Sequence, residues 1–259
     1  MQIPLYQVDA FTSRVFGGNP AAVCPLDDWL DDAVLQAIAL ENNLSETAFF
    51  TGSGDRRKLR WFTPACEVDL CGHATLASAF VIMQLLEKGR REIRFETRSG
   101  ELSVMSDGRL YTLDFPSRPP QPLNPPPALA AALGATPQAV LAARDVLAVF
   151  GSEGEVKALE PDMAAVAKLD TFAVIVTAPG NDVDFVSRFF APAKGVPEDP
   201  VTGSAHCTLI PYWAQRLGKT RLRARQISKR GGELWCELAG DRVKISGEAA
   251  LFAEGKLHV

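Results

Sequence analysis

The chain contains 259 residues, 47% of them hydrophobic and 22% charged, and carries a formal net charge of −4 at pH 7. This length suits two domains of ordinary size, and the composition is that of a globular protein able to bury a core. The acidic balance argues against nucleic acid as a partner, and the longest apolar run, residues 74–83, is too short to form a membrane span.

Hydrophobic periodicity and turn signals predict alternating strands and helices in the first half. The strands fall at residues 5–11, 44–50, 58–62, 92–96, 102–105 and 110–115, and the helices at residues 27–42 and 73–88. Seven prolines between Pro116 and Pro127 are incompatible with a helix or a sheet interior, so we place the domain boundary there. The predicted domains are residues 1–116 and 117–259, with the last strand able to cross back to the first domain.

The second half is predicted to begin with two short helices, at residues 128–133 and from Pro137, the latter capped by Thr136. Strands follow at residues 146–150, 172–177 and 183–185, then a long helix at 204–217 and four strands at 222–227, 234–238, 243–246 and 250–252. Each half therefore indicates a curved mixed sheet around an apolar helix, in an α+β fold of two similar domains.

One stretch of the chain occurs twice. A Phe-x-Pro-Ala segment begins at Phe62 and again at Phe190, and each copy leads through an acidic turn to a glycine that opens an apolar helix, Gly72 or Gly203. The offsets of 128 and 131 residues are close to half the chain, which indicates a duplicated half with a three-residue insertion. Two halves related by a pseudo-twofold could aim both helix N-termini, which attract carboxylates and oxyanions, at one cleft. Either glycine alone is explained more simply by close helix packing.

Three side chains are candidates for acid–base chemistry. Glu46 lies among strand formers, where burial would suit it to exchange a proton with carbon, although strand residues alternate and it can equally point to water. His73 occupies the first helical turn, where a neutral imidazole could hydrogen-bond a substrate, but structural histidines are common there too. Asp199 stands in an acidic turn before Gly203, as a second proton carrier or as a turn-forming residue.

Cys71 is a candidate thiol, because a helix N-terminus lowers a thiol pKa and raises its reactivity; the alternative is a small buried side chain. A two-thiol racemase would need a cysteine at the matched position of the second copy, and neither offset supplies one. A zinc site drawn from Cys66, Cys71, His73, His206 and Cys207 has only a weak signal, since no CxxC pair occurs. We therefore expect no metal and no cofactor.

Five widely spaced cysteines without a leader segment predict reduced thiols in the cytoplasm.

Six ordered stretches together resemble the PhzF-like family, which is named for a phenazine biosynthesis enzyme and is related in fold to diaminopimelate epimerase. They are residues 8–11, 16–23, 44–49, 62–64, 69–75 and 198–205. The resemblance implies two similar domains, each a barrel-like mixed sheet around a central helix, with the active site between them. It also implies an isomerase that works without metal or cofactor and is often a homodimer.

The resemblance assigns roles to residues. Glu46 falls on the family's catalytic glutamate, and His73 and Asp199 fall on its motif histidine and aspartate. The segments expected to bind the substrate contain Asn19, Gly72, Ala74, Thr202, Gly203 and Ser204.

We therefore expect an isomerase that moves a proton on a small carboxylate-bearing, amino-acid-like substrate, with Glu46 taking the proton from carbon and returning it elsewhere. His73, Asp199 and the N–H groups after the two glycines would hold the developing charge. Two alternatives stay open: a racemase or epimerase assisted by Cys71, and a non-catalytic protein of the same fold that binds a metabolite or a partner.

Overall fold

The computed structural model describes the whole chain, Met1–Val259, which divides into two compact units. The first unit comprises Met1–Asp114 and Ser246–Val259, and the second comprises Phe115–Ile245. The prediction placed the boundary after residue 116 and allowed the last strand to cross back to the first domain. In the structure that strand, Ala249–His258, pairs antiparallel with the first strand, Gln2–Ala10.

Seventeen strands and six α-helices make up the two units. In chain order the strands are β1 (Gln2–Ala10), β2 (Asn19–Pro25), β3 (Glu46–Thr51), β4 (Arg56–Phe62), β5 (Glu67–Val68), β6 (Glu92–Thr97), β7 (Gly100–Ser106), β8 (Tyr111–Pro116), β9 (Gln121–Pro122), β10 (Ala139–Ala142), β11 (Val146–Val149), β12 (Val174–Pro179), β13 (Phe185–Phe190), β14 (Arg221–Gln226), β15 (Gly232–Ala239), β16 (Arg242–Gly247) and β17 (Ala249–His258). The helices are α1 (Asp32–Asn42), α2 (Gly72–Phe80), α3 (Leu129–Leu133), α4 (Glu153–Ala158), α5 (Met163–Val166) and α6 (Gly203–Leu217). None of these helices combines the length and the apolar character that a bilayer crossing requires.

The first unit is a mixed sheet built around α2. Its strands run in the order β17, β1, β2, β3, β4, β6, β7, β8; the pairs β2–β3 and β4–β6 are parallel and the others antiparallel. Helix α2 contacts β1, β2, β3, β7 and β17, and its residues from Gly72 to Ala79 are all buried. A helix that is apolar or small on every side is stable only inside a core, which explains its central place.

The second unit repeats the pairing pattern of the first. Its strands run from β9 through β15 in chain order, with parallel pairs at β11–β12 and β13–β14 and antiparallel pairs elsewhere. Helix α6 packs on β14 and β15, while α4 packs on β12 and β13. Each unit is thus the mixed α+β domain that the sequence predicts.

The two copies of the repeat occupy equivalent positions in their own units. Strands β4 and β13 both end on phenylalanine, Phe62 and Phe190, and the helices that follow both begin at glycine. Strands β3 and β12 begin 128 residues apart, at Glu46 and Val174. The first copy therefore carries a carboxylate where the second carries an apolar side chain.

Several local predictions are corrected by tertiary pairing. The helix predicted from Pro137 is absent; instead Ala139–Ala142 forms β10, because Val140 and Leu141 pair with β11. Helices α4 and α5, capped by the side chains of Ser152 and Asp162, were not predicted. The predicted helix 73–88 begins one residue earlier and becomes a π-helical segment over Val81–Leu86.

Substitution of Gly18, the residue before β2, tests how tightly the chain is packed there. Its φ is +60°, and a Cβ there would lie 2.1 Å from the carbonyl oxygen of Ala10. Left-handed strain and overpacking each cost about 1 to 3 kcal/mol, so we expect Gly18→Ala to lower the free energy of unfolding by about 3 kcal/mol. The control is Gly54→Ala, where φ is +74° but no atom lies within 4 Å; its cost should be about 1 kcal/mol. Urea denaturation measures both, and equal losses would contradict the packing argument.

Candidate active site

The first unit brings four predicted residues together: Asn19, Glu46, Cys71 and His73. Asn19 and Glu46 are the first residues of β2 and β3, and these strands are parallel neighbours with Ala21 opposite Glu46. Parallel strands that begin at the same edge place both side chains there. Cys71 is the residue before α2, and His73 lies in the first turn of that helix.

The imidazole of His73 lies between a carboxylate and a thiol. Its Nε2 is 3.0 Å from Oε2 of Glu46, and its Nδ1 is 3.1 Å from Nδ2 of Asn19 and 3.5 Å from Sγ of Cys71. Asn19, Cys71 and His73 are buried, His73 with only 4% exposure, whereas the Glu46 side chain keeps 17%. Glu46 is therefore the member of this group through which a molecule from solvent can reach the histidine.

The contact between Glu46 and His73 is close but poorly aligned. Both Oε2 and Nε2 are buried, and neither completes a well-directed hydrogen bond within the protein. A 3.0 Å separation without alignment still gives strong charge attraction, while each atom keeps hydrogen-bonding capacity for a third group. This is a favourable state for a pair that must hand a proton to a substrate.

The protonation state of His73 follows from its neighbours. Burial lowers the pKa of His73, but charge at Cys71 and Glu46 raises it, and the net pKa is well above the ordinary value. We attribute the elevation to Glu46, because burial, assisted by the Glu46 charge, raises the pKa of Cys71 to about 11 and keeps that thiol neutral. His73 is then an imidazolium beside a carboxylate. A ring protonated on both nitrogens donates from Nδ1, which requires the Asn19 amide to be rotated so that Oδ1 replaces Nδ2 at this position.

Cys71 departs from the expectation of an activated thiol. The helix N-terminus was expected to lower its pKa, yet burial and the nearby Glu46 carboxylate outweigh the opposing influence of His73. Desolvation penalises the thiolate more strongly than the end of α2 stabilises it.

The ligand atoms of Glu46, Cys71 and His73 lie within 4.8 Å of one another, which is the spacing of a possible metal site. However, His73 directs opposite nitrogens toward the carboxylate and the thiol. A metal ion would need a single nitrogen of His73 to converge with the carboxylate and the thiol, whereas the contacts to these two groups come from different ring nitrogens.

In the second unit, the predicted residues Asp199, Thr202, Gly203 and Ser204 gather at the start of α6. The hydroxyl of Thr202 donates to Oδ2 of Asp199, which orients that carboxylate. Gln226 accepts from the backbone N–H of Thr202 at 2.9 Å and donates to the carbonyl of Asp199 at 2.7 Å. The turn before α6 is therefore fixed by side chains from outside it.

The starts of α2 and α6 share a further property. Neither Cys71 nor Thr202 caps its helix through a side chain, in contrast to Ser152 and Asp162 on the short helices α4 and α5. The first-turn N–H groups that follow Gly72 and Gly203 thus receive no side-chain cap, and a ligand anion is the kind of acceptor that suits them. Ala74, the third residue of α2, is fully buried.

Sequence reasoning missed Gln226 and Arg144. Gln226 is fully buried and shares a face of β14 with Leu222 and Ala224. The sequence signal for Gln226 was an amide side chain on an otherwise apolar strand face. The arginines at the neighbouring positions obscured this signal. Arg144 hydrogen-bonds Asp145 and Ser204, and no local pattern indicates that contact across 60 residues.

His206, which the sequence placed near the second repeat, has a structural role. Its Nδ1 lies 2.8 Å from the carbonyl oxygen of Thr202, and its ring packs near Phe185. Burial lowers the pKa of His206 to about 4, so this ring is neutral at physiological pH.

Comparisons with known proteins identify the family and the fold of the chain. The model of a family described as phenazine biosynthesis-like protein matches residues 8–255. The chain is similar to an uncharacterized isomerase of Pseudomonas aeruginosa, with 55% identity over 259 residues and complete coverage of both chains. A crystal structure from the phenazine biosynthesis protein PhzF family of Enterococcus faecalis is 49% identical, with a TM-score of 0.97 and complete coverage of both chains. A hydroxyproline epimerase from Agrobacterium vitis shares the fold at 12% identity, with a TM-score of 0.63 over 99% of this chain and 92% of the epimerase.

The raised pKa of Cys71 predicts unequal thiol reactivity. We expect iodoacetamide at pH 8 to modify the exposed Cys66 in the native protein and to leave the buried Cys71 unmodified. Peptide mapping by mass spectrometry identifies the modified residue, and denatured protein, in which all five cysteines react, is the control. Modification of Cys71 as fast as Cys66 would show that its thiol is activated.

The raised pKa of His73 predicts a pH-dependent contribution to stability. Because the folded-state pKa lies above the ordinary 6.5, the ion pair stabilises the fold fully below about pH 6.5, and this stabilisation is lost as pH rises through the higher folded value. Glu46→Gln should lower the pKa of His73 and leave His206, with its pKa of about 4, unchanged. NMR titration of the imidazole nitrogens measures both rings in one sample. A His73 ring that is neutral at pH 6.5, or unaffected by the substitution, would contradict the pairing.

Proposed function

The chain belongs to the phenazine biosynthesis-like family, and we propose that it is an isomerase that moves a proton between two atoms of a small carboxylate-bearing, amino-acid-like substrate. The relative named an isomerase, 55% identical over the whole chain, supports the reaction class. The observation that carries the proposal is the partly exposed Glu46 carboxylate, 3.0 Å from a buried histidine.

Glu46 is the proposed acid–base group. A carboxylate accepts a proton, and Oε2 of Glu46 lies 3.0 Å from Nε2 of His73. In the first step the substrate C–H bond breaks and an O–H bond forms on Glu46, while the electron pair moves into the conjugated system of the substrate. In the second step Glu46, whose bound proton exchanges with solvent, gives a proton to a different carbon and the double bond shifts. Substrate and product contain the same atoms and electrons, so the isomerisation requires no oxidant or reductant.

The remaining site residues are proposed to hold charge rather than to move the proton. As carbon loses its proton, negative charge develops on the substrate, and fixed donors aimed at it lower the barrier. In the first unit these donors are Asn19, His73 and the N–H groups at the start of α2. For the second unit we propose that the start of α6, with Asp199 fixed by Thr202, contributes to substrate binding.

The geometry weighs against Cys71 as the proton carrier. Its pKa of about 11 and its burial leave almost no thiolate at neutral pH. The position of the second copy that matches Cys71 is Thr202, so a pair of thiols on opposite sides of a substrate is not available. A purely binding protein, the other alternative, would have no need of a charged pair at an accessible strand end.

The proposal also includes the oligomeric state and the cellular location of the protein. We propose a homodimer, as the resemblance implies, and a cytoplasmic location, as the five widely spaced cysteines predict. Exposed Phe16 and Phe252, whose ring centroids are 5.6 Å apart, offer an apolar surface for a second copy, and all five cysteines are unpaired.

Deuterium incorporation tests the proposed reaction. The protein is incubated in D2O with a pool of small amino and hydroxy acids that includes aromatic precursors, and mass spectrometry locates deuterium bound to carbon. We expect incorporation by the native protein and a loss of at least about 100-fold in Glu46→Gln, since general acid–base groups contribute about 10²–10⁴.

Two variants control for general effects of substitution. Glu41→Gln changes an exposed carboxylate on α1, and Cys71→Ala removes the thiol; both should retain incorporation. Full incorporation by Glu46→Gln would refute the role of Glu46, and a loss confined to Cys71→Ala would establish the thiol mechanism instead.

A further inference from the structure

A pair of cations lies beside Ser204 in the second unit, outside the groups assigned above. Arg144 donates from Nε and Nη2 to the carboxylate of Asp145, both at 3.0 Å, and Nη2 also donates to the hydroxyl of Ser204 at 3.2 Å. Its guanidinium carbon lies 4.4 Å from the ring centre of Phe172, and Nζ of Lys194 lies 5.2 Å from the same centre. The two positive charges and one aromatic ring therefore form a single cluster.

The guanidinium of Arg144 is held rigidly, but not all of its N–H groups donate hydrogen bonds within the protein. Asp145 is only 1% exposed, so the two-pronged pair fixes the plane of the guanidinium from the protein side. A guanidinium has five N–H donors, and the two on Nη1 donate to no group of the protein.

The cluster also carries unbalanced charge. Asp145 neutralises Arg144, but Lys194 forms no ion pair. Phe172 is 42% exposed, which is unusual for a large aromatic side chain and leaves an apolar wall next to the cations. Donors, net positive charge and an apolar wall together fit a small organic anion.

We propose that Arg144 binds the carboxylate of a small organic anion in the second unit, with Lys194 as a second cation and Phe172 in contact with an apolar part of the molecule. The site is expected to favour carboxylates that carry an apolar body over small, fully polar acids. Side-chain donors provide the recognition, so neutral analogues that lack the carboxylate should not bind.

Binding of simple probes to the intact protein tests the assignment. Benzoate, its neutral analogue benzamide, and acetate are titrated while the amide NMR signals of Gly203 and Ser204 are followed. We expect benzoate to bind with a Kd on the order of 1–10 mM, acetate more weakly, and benzamide not at all up to about 50 mM. Arg144→Gln should weaken benzoate binding at least about tenfold, because a charge-assisted hydrogen bond is lost; Arg144→Lys should retain part of it, and Lys194→Gln should weaken it about threefold.

Arg216→Gln is the matched control, because Arg216 is another exposed arginine of the second unit that lies over an aromatic ring, 5.8 Å from the centre of Trp213. It should bind benzoate like the native protein. Unchanged benzoate affinity in Arg144→Gln, benzamide binding equal to that of benzoate, or no signal change in the native protein would each overturn the proposal.

Discussion

The contact between the Glu46 carboxylate and the His73 imidazole depends on two backbone features of the first unit. Parallel pairing of β2 and β3 sets Glu46 at the strand edge, and the enclosed helix α2 sets His73 opposite it. Because His73 is buried, its neighbours rather than solvent set its pKa, which lies well above the ordinary value. Because Glu46 is partly exposed, the charged pair remains accessible from outside. Burial of one partner and exposure of the other together make a structural ion pair suitable for proton transfer.

The two halves of the duplicated chain form similar units, but the residues at their matched site positions differ. Both units have a mixed sheet, a glycine-led helix and a helix start without a side-chain cap. The strand end that carries Glu46 in the first copy carries Val174 in the second, and the position of Cys71 is taken by Thr202. The second copy instead has Asp199, which is fixed through Thr202 and Gln226. The fold therefore repeats the means of binding an anion, while the proposed proton carrier occurs in one copy.

The sequence predicted the features that depend on local pattern or on the repeat. The mixed fold, the start of each repeat helix at glycine and the 128-residue offset of the strands all follow from periodicity and from matched motifs. Contacts between distant segments could not be predicted in this way. Asn19 lies 54 residues from His73, and Gln226 lies 24 residues from Thr202, so their hydrogen bonds exist only once the sheet has formed. The raised pKa of Cys71 could not be predicted for the same reason, since the end of a helix is visible in the sequence and complete desolvation is not.

Neutron diffraction from crystals of the native protein at neutral pD would test the Glu46–His73 pair most directly, since it locates deuterons on individual atoms. We expect deuterons on both ring nitrogens of His73, none on either carboxylate oxygen of Glu46, and the thiol of Cys71 deuterated. A deuterated Glu46 carboxyl beside an imidazole with one bare nitrogen would show a neutral pair. That result would contradict the charged pair on which the proposed proton transfer rests.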